Sequence, residues 1–497
     1  VNLFGETLTI GSGIFLLLAL GMALSFEFVN GFHDTANAVA TVIYTHTLKP
    51  NYAVIWSGCW NLIGVLQSSG GVAFGVLALL PVELVLNVGS GAGFAMVFAL
   101  LISAIIWNLG TWYLGLPASS SHSLLGSIMG VGLANSVLAG GHEFGEGVNW
   151  AKASEVGITL LVSPLVGFIC AALLLLLSKA LIKREDLYQA PEKDKAPPMW
   201  IRGLLMLTCT GVSFGHGSND GQKGMGLIML ILIGILPTTY AVDTGTTQAS
   251  IADLTRTTEA ISGHMDAHAP GVAMAGYQVA ADELSGYLKT TGVATERTFA
   301  AVGTKCLEIN ELLRKTKTTL ADLTPDDRKL LRGDLYLTSE SLGKLVKQKK
   351  LTDPAEQKAA AALHTHMDKL TKFIPVWVKV AVAIALGLGT MIGWKRIVVT
   401  VGEKIGKTHL TYAQGAAAEL VAAGTVIGAS QYGLPVSTTH VLSSGVAGAM
   451  AANHSGLQME TLRNLLLAWV LTLPVTVLLG AGIFAFVLNL LIRFGVK

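Results

Sequence analysis

The sequence predicts an all-α polytopic membrane protein: a structural repeat of two homologous halves with broken or re-entrant helices, about 10–12 membrane segments, and a helical soluble insert. Three observations carry this prediction. Of 497 residues, 52% are hydrophobic and only 13% are charged, with a mean hydropathy of +0.57. A soluble chain needs roughly 25% charged residues to cover its surface, so this chain cannot clothe itself in water. Second, the charge is concentrated: residues 241–372 carry roughly half of all Asp, Glu, Lys and Arg. Third, two polar motifs recur in the same order in the two apolar blocks. The net charge of +2 gives no footprint for nucleic acid.

A hydrocarbon core about 30 Å thick takes roughly 20 apolar residues per helix. Such runs lie near 11–30, 52–80, 92–114, 156–182, 200–217, 224–240, 374–394, 411–431 and 464–492. The runs at 52–80 and 464–492 suit a tilted helix or a helix plus a re-entrant piece. Shorter segments near 118–139 and 436–452, rich in Gly and Ser, follow Pro117 and Pro435. The 56 glycines suit close helix contacts in lipid. No basic region precedes the first apolar run, so no cleaved signal peptide is expected.

The expected organisation is a first membrane repeat over 1–182, a basic linker over 183–202, and the start of a second repeat over 203–240. The charged helical insert takes 241–372 and the rest of the second repeat 373–497. Leu recurs at intervals of three and four among charges over 304–320 and 325–350, the pattern of amphipathic surface helices, with Cys306, Leu313 and Leu320 on one face. Cys59, Cys170, Cys209 and Cys306 have no CxxC spacing and read as inert thiols. His364 and His366, two apart, do not share a helix face and read as solvated. The loops at 179–202 and 395–407 are basic and favour the cytoplasm. Both lie there if the chain between them crosses an even number of times.

The repeat is the main signal. Gly-Leu-Pro-Ala-Ser-Ser-Ser-His at 115–122 returns as Gly-Leu-Pro-Val-Ser-Thr-Thr-His at 433–440. Gly-Phe-His-Asp-Thr-Ala-Asn-Ala at 31–38 returns, more weakly, as Gly-Ser-Asn-Asp-Gly-Gln-Lys-Gly at 217–224. Asp34 precedes His122 by 88 residues and Asp220 precedes His440 by 220; the difference of 132 is the length of 241–372. The chain is two homologous halves with a domain inserted in the second. Polar motifs interrupting hydrophobic segments in both halves are the signature of a secondary transporter. Free helix termini survive in lipid only around a cavity or ligand. Their N-termini favour anions; carboxylates and carbonyl oxygens favour cations.

Asp34 and Asp220 hold equivalent places in apolar surroundings, where an ionised Asp costs about 2.5–3.5 kcal/mol. Cation binding or proton exchange accounts for that cost; capping, or pairing with Lys223, is the structural alternative. Asn37 and Asn219 offer carbonyl oxygens to the same cation or cap helices. Ser119, Ser120, Ser121, Ser437, Thr438 and Thr439 exceed what two helix caps require, and suit a tetrahedral oxyanion or its cation. His122 and His440 bind, shuttle protons or serve structurally. Glu27 and Glu419 lie within apolar runs, Glu419 about four helical turns before Gly433. Asn61, Gln67, Asn108 and Lys379 are weaker candidates, Asn108 as an interhelical hydrogen-bonding group. A hydrolase is disfavoured: Ser121 and His122 point about 100° apart on a helix, and no nucleophile elbow or P-loop is present. An anion channel needs no paired carboxylates at a closed midplane site.

At these motifs the chain resembles the inorganic phosphate transporter (Pit) family, whose duplicated signature is Gly-Ala-Asn-Asp-x-x-Asn-Ala. The family's Gly-Leu-Pro-x-Ser-x-Thr-His matches 433–440 in full and 115–122 with Ser121 for Thr. Gly-Thr-Met-Ile-Gly-Trp at 389–394 and Gly-Glu-Lys-Ile-Gly at 402–406 look like its bacterial low-affinity branch. The resemblance covers both membrane blocks.

It implies an inverted repeat, a homodimer, and a symporter of inorganic phosphate in the bacterial inner membrane, with no enzymatic activity and no cofactor. Phosphate and cations would lie between the halves at Asp34, Asn37, Asn219 and Asp220. The hydroxyls of 119–121 and 437–439 would line the site, and Glu419 matches a carboxylate tied to transport. Arsenate would be carried as a mimic, and phosphate could enter as a divalent-metal complex. His33 and Lys223 depart from the signature's Asn residues. Both can carry protons, and Lys223 can stand in for a bound cation, so proton coupling is expected over sodium coupling. Sulfate transport is a narrower alternative.

Overall fold

The computed structural model describes residues 2–4, 6–34, 36–80, 90–138, 145, 148–192, 195–289 and 292–494, the side chains at 36 and 37 excepted. Apart from a hairpin of β1 (Asn2–Leu3) and β2 (Glu6–Thr7), its regular structure is helical. The helices are α1 (Ile10–Asp34), α2 (Ala36–Tyr44), α3 (Pro50–Gln67), α4 (Gly71–Leu77), α5 (Gly91–Tyr113), α6 (Ser120–Leu138), α7 (Trp150–Leu181) and α8 (Met199–Ile235). There follow α9 (Gln248–His268), α10 (Tyr277–Leu288), α11 (Glu296–Arg314), α12 (Pro325–Lys347) and α13 (Pro354–Thr371). The last five are α14 (Val376–Gly393), α15 (Lys395–Glu403), α16 (Tyr412–Gln431), α17 (Thr438–Ala452) and α18 (Met459–Arg493). The chain forms two compact units, one of 1–17, 81–94 and 229–373, the other of 18–80, 95–228 and 374–497.

Among the described residues, 5 helices are long and apolar enough to cross a membrane: Ile10–Tyr44, α5, α7, α14 and α18. The pair α3 and α4, bent by 76°, raises the number to 6. That bend is the broken segment expected in 52–80. The region 464–492 belongs instead to one 35-residue helix, and 200–217 and 224–240 fall mostly within the single 37-residue α8. The second polar motif therefore interrupts the hydropathy of a helix without interrupting its backbone. A helix satisfies its own amides, so only the motif's polar side chains, Asp220 and Lys223 among them, need partners.

The Gly-Leu-Pro-x-Ser segments decode residue by residue. Gly115 and Gly433 have φ of 67° and 66°, the left-handed conformation that lacks a Cβ penalty only in glycine. Each closes the preceding helix: Gly115 N–H donates to Trp112 O and Leu116 N–H to Thr111 O, both at 2.9 Å. Gly433 and Leu434 repeat this with Ser430 and Ala429. This is the Schellman cap, and proline two residues on prevents continuation. Ser119 and Ser437 then cap the next helix, each Oγ accepting from the His122 or His440 amide at 3.2 Å. The motif is a stop and a start, built twice.

In the membrane body, α6 packs on α18 and α17 packs on α7. Each half thus lays its motif helix against the last helix of the other half. Both long partners carry an interior proline, Pro164 and Pro474. The contacts are backbone-close: a Cβ on Gly130 would stand 2.1 Å from Val477 O, and one on Gly448 would stand 2.1 Å from Phe168 O. Small residues permit this approach where apolar burial gives helices no reason to leave lipid.

The other unit surrounds its own core, in which Leu254, Ile261, Cys306, Ile309, Leu335 and Leu363 are fully buried. Its helices start on side-chain caps: Thr247 before α9, Thr324 before α12 and Asp353 before α13, the last two followed by proline. Cys306 and Leu313 share the buried face of α11, but that helix ends at Arg314, and Leu320 is buried from a separate short turn, Leu320–Asp322. Asp322 takes the amides of 317–319 there, ending the periodic pattern. Among the cysteines, Cys209 is buried like Cys306, whereas Cys59 and Cys170 lie on exposed faces of α3 and α7.

Candidate anion and cation site

The site lies wholly within the membrane body. Asp34 is the last residue of α1 and is almost fully buried. Its Oδ1 accepts from Thr439 Oγ1 at 2.8 Å and lies 2.9 Å from His33 Nδ1. Its Oδ2 meets the Ser120 hydroxyl, which also lies 2.8 Å from Asn30 Oδ1. His33 Nε2 reaches Thr111 Oγ1 at 3.1 Å. A hydroxyl from each half thus serves one carboxylate.

Asp220 stands in the middle of α8, fully buried. Thr438 Oγ1 donates to its Oδ2 at 3.0 Å, the counterpart of Ser120 on Asp34. Lys223, one turn on and fully buried, donates to Asp220 Oδ1 and to Ser121 Oγ. Ser121 in turn donates to Val436 O at 3.1 Å. Lys223 occupies the place equivalent to Asn37, whose side chain lies outside the described residues.

His216, one turn before Asp220, completes the cluster. Its Nε2 lies 3.1 Å from Asp220 Oδ2, and its Nδ1 donates to Asn61 Oδ1 at 2.8 Å. One ligand atom each from Asp34, His216 and Asp220 lie within 4.8 Å of one another, near enough to share a cation. His216 was not among the residues singled out above. Its spacing of four from Asp220 on one helix face is the signal that finds it.

The remaining residues divide clearly. Ser119 and Ser437 are occupied as caps, leaving Ser120, Ser121, Thr438 and Thr439 to the two carboxylates and Lys223. Asn219 holds backbone at both ends of its amide: Nδ2 donates to Leu434 O at 3.1 Å, and Oδ1 accepts from Val436 N–H at 3.4 Å. It pins the Gly-Leu-Pro-Val turn beneath the site. His122 and His440 pack against each other as tilted rings with centroids 4.7 Å apart, and His440 stacks on Trp469 at 4.2 Å. His122 Nδ1 and His440 Nε2 are buried and have no hydrogen-bond partner among the described residues.

Glu27 is fully buried, with Oε2 accepting from Asn30 Nδ2 at 3.4 Å; a Cβ on Gly224 would stand 2.2 Å from its Cγ. Glu419, also fully buried, accepts from the Thr208 hydroxyl. Asn108 accepts from Ser123 Oγ at 2.9 Å, an interhelical bond. Lys379 donates to Ser68 O at 3.0 Å, and Gln67 is exposed; neither touches the cluster.

Residues 30–480 match the Phosphate transporter family. The chain is 41% identical over 508 residues to the low-affinity inorganic phosphate transporter PitB of Escherichia coli (strain K12), covering 99% of this chain and 100% of that one. It is 42% identical over 491 residues to PitA of the same strain, covering 96% and 97%. A probable low-affinity inorganic phosphate transporter of Bacillus subtilis (strain 168) is 27% identical over 479 residues, covering 96% and 98%. A solved structure titled "The sodium-dependent phosphate transporter" superposes with a TM-score of 0.52 at 19% identity, covering 96% of this chain and 99% of that one. At that identity the likeness concerns the fold alone.

Proposed function

This chain belongs to the phosphate transporter family and transports inorganic phosphate, and we propose that it does so as a proton-coupled symporter using the Asp34–Asp220 cluster. The observation carrying this reading is the buried Lys223 ammonium on Asp220 and Ser121. It is a cation built into the protein at one of two equivalent places.

Electrostatics supports coupling. With both carboxylates ionised, Asp34 and Asp220 outweigh Lys223 by one negative charge. An oxyanion entering such a site adds like charge where screening is poor, which is unfavourable by several kcal/mol. A positive charge must therefore enter with it. A proton on Asp34 or on the imidazole of His33 or His216 meets that need with groups already present, and Lys223 takes the place that a second free cation would otherwise fill. Ser120, Ser121, Thr438 and Thr439 turn from the carboxylates and the ammonium to the phosphate oxygens as it enters. The same donors take arsenate, which has the same shape and charge. A metal–phosphate complex suits the triad of Asp34, His216 and Asp220 as a neutral cargo.

The protein works as a multi-pass membrane protein, in this reading in the inner membrane of a bacterial cell and as a homodimer. Phosphate uptake into proteoliposomes, with proton and sodium gradients imposed separately, tests the proposal. Accumulation with the proton gradient alone is expected. Accumulation with sodium alone would overturn the coupling, and equilibration without accumulation under either gradient would indicate a channel.

A further inference from the structure

The unit containing 229–373 holds an open-sided cavity of about 700 Å³. Its wall includes Lys329, Arg332, Asp334 and Tyr336 of α12, Lys305 of α11 and Gln278 of α10, and all of its lining residues belong to that one unit. It shares no residue with the Asp34–Asp220 cluster.

Asp334 is the informative group. It is 2% exposed, and its Oδ1 accepts from Lys305 Nζ at 2.7 Å. Lys305 is shared with Glu308 at 2.5 Å, so two carboxylates divide one ammonium. Asp334 Oδ2 is buried and has no hydrogen-bond partner among the described residues. Such an oxygen is expensive to leave unsatisfied and marks the place of a missing donor. Two cations besides Lys305 line the same cavity. Arg332 spends Nη1 on the peptide oxygens of Ala241 and Thr371, at 3.0 and 3.1 Å, rather than on a carboxylate. Lys329 stands at the exposed rim.

A simple cation fits poorly beside Arg332 and Lys329, and a fully ionised anion fits poorly beside Asp334. A ligand with both negative oxygens and an acidic O–H satisfies Arg332, Lys329 and Asp334 together, while the Asp326 carboxylate of the same wall is exposed to solvent. We propose that this cavity is a second, non-transport site for inorganic phosphate, in which Arg332 and Lys329 take the negative oxygens and Asp334 Oδ2 accepts the P–OH proton. Guanidinium and phosphate match in geometry and charge. Sulfate at pH 8 has no proton to give, and a phosphomonoester has lost its own, with a second pKa near 6. Hydrogen phosphate keeps one. A buried acceptor left unpaired discriminates strongly among otherwise similar ligands.

The test is hydrogen–deuterium exchange on the full-length protein in nanodiscs at pH 8, with inorganic phosphate, sulfate or glycerol phosphate added. Phosphate is expected to slow exchange over 326–337 and 278–281, and the other two anions are not. Lys329→Ala should raise the phosphate concentration required by about tenfold. Asp334→Asn, which leaves Glu308 to hold Lys305, should let sulfate protect the same peptides, because an amide can donate. Equal protection by phosphate and sulfate in the parent chain would overturn the proposal, as would unchanged selectivity in Asp334→Asn or no response over 326–337. Peptides covering 217–224 report the transport site in the same samples, so failure of one site is distinguishable from failure of the other.

Discussion

Thr439 Oγ1 donates to Asp34 Oδ1 at 2.8 Å across 405 positions of sequence. The first half supplies the carboxylate and the second half supplies a hydroxyl to it, beside that of Ser120 from the first half. Lys223 of the second half likewise donates to Ser121 of the first, 102 positions apart. Each half's polar groups are satisfied only when the other half is in place.

Thr439→Val removes a donor to a buried carboxylate while preserving shape. A hydrogen bond to a charged group contributes about 1.5–3 kcal/mol, so initial phosphate uptake should fall by about tenfold or more. Uptake by equal amounts of reconstituted protein measures it; an unchanged rate would remove Thr439 from the site.

Lys223→Met and Asp220→Asn each leave a buried partner uncompensated, a loss of about 3–5 kcal/mol. The double variant should melt higher than either single one, because no orphaned charge remains. Thermal unfolding in detergent, arranged as a double-mutant cycle, reads the coupling; additive losses would mean that the pair does not act as one.

Gly130→Ala and Gly448→Ala each place a Cβ against the backbone of the opposite half. Forced separation of packed helices costs about 1–3 kcal/mol. Both variants should lower the melting temperature of the membrane body, whereas Gly157→Ala, with nothing within 4 Å, should not.

Asp334 gives the insert a pH dependence. Burial pushes its carboxyl up to about 7, against the pull of Lys305. The unfolded chain releases that proton near pH 4. Between these values the folded state holds more protons, so its stability is full below about pH 4 and is lost as pH rises toward about 7. Thermal unfolding of the insert should shift downward over that range, and Asp334→Asn should flatten the shift. A shift of opposite sign would show that Lys305 outweighs burial.

Much of the site was legible because its chemistry is costly in lipid. Asp34, Asp220 and Lys223 stood out as charges where charge is disfavoured, and the repeat paired the two aspartates. That each Gly-Leu-Pro-x-Ser segment carries a helix cap was legible as well, since Gly, Pro and Ser have local backbone roles, but not that Ser119 and Ser437 are the capping hydroxyls. His216 was not, because one buried histidine looks alike whether it binds or packs. Asn219 holds a turn rather than facing the cluster, a distinction set by the backbone of 434–436 and invisible in its own motif at 217–224.

The sequence by itself determined that this chain lives in a membrane, that it is built twice, and which charges lie where lipid resists them. Those follow from composition, self-similarity and the cost of desolvation, which depend on residue type and order. Only the tertiary structure decided which hydroxyl serves which carboxylate, that Lys223 donates to both Asp220 and Ser121, and that the second motif leaves α8 unbroken. Those are matters of distance between residues up to 405 positions apart, and distance is set by how the two halves exchange their motif helices across glycine-close contacts.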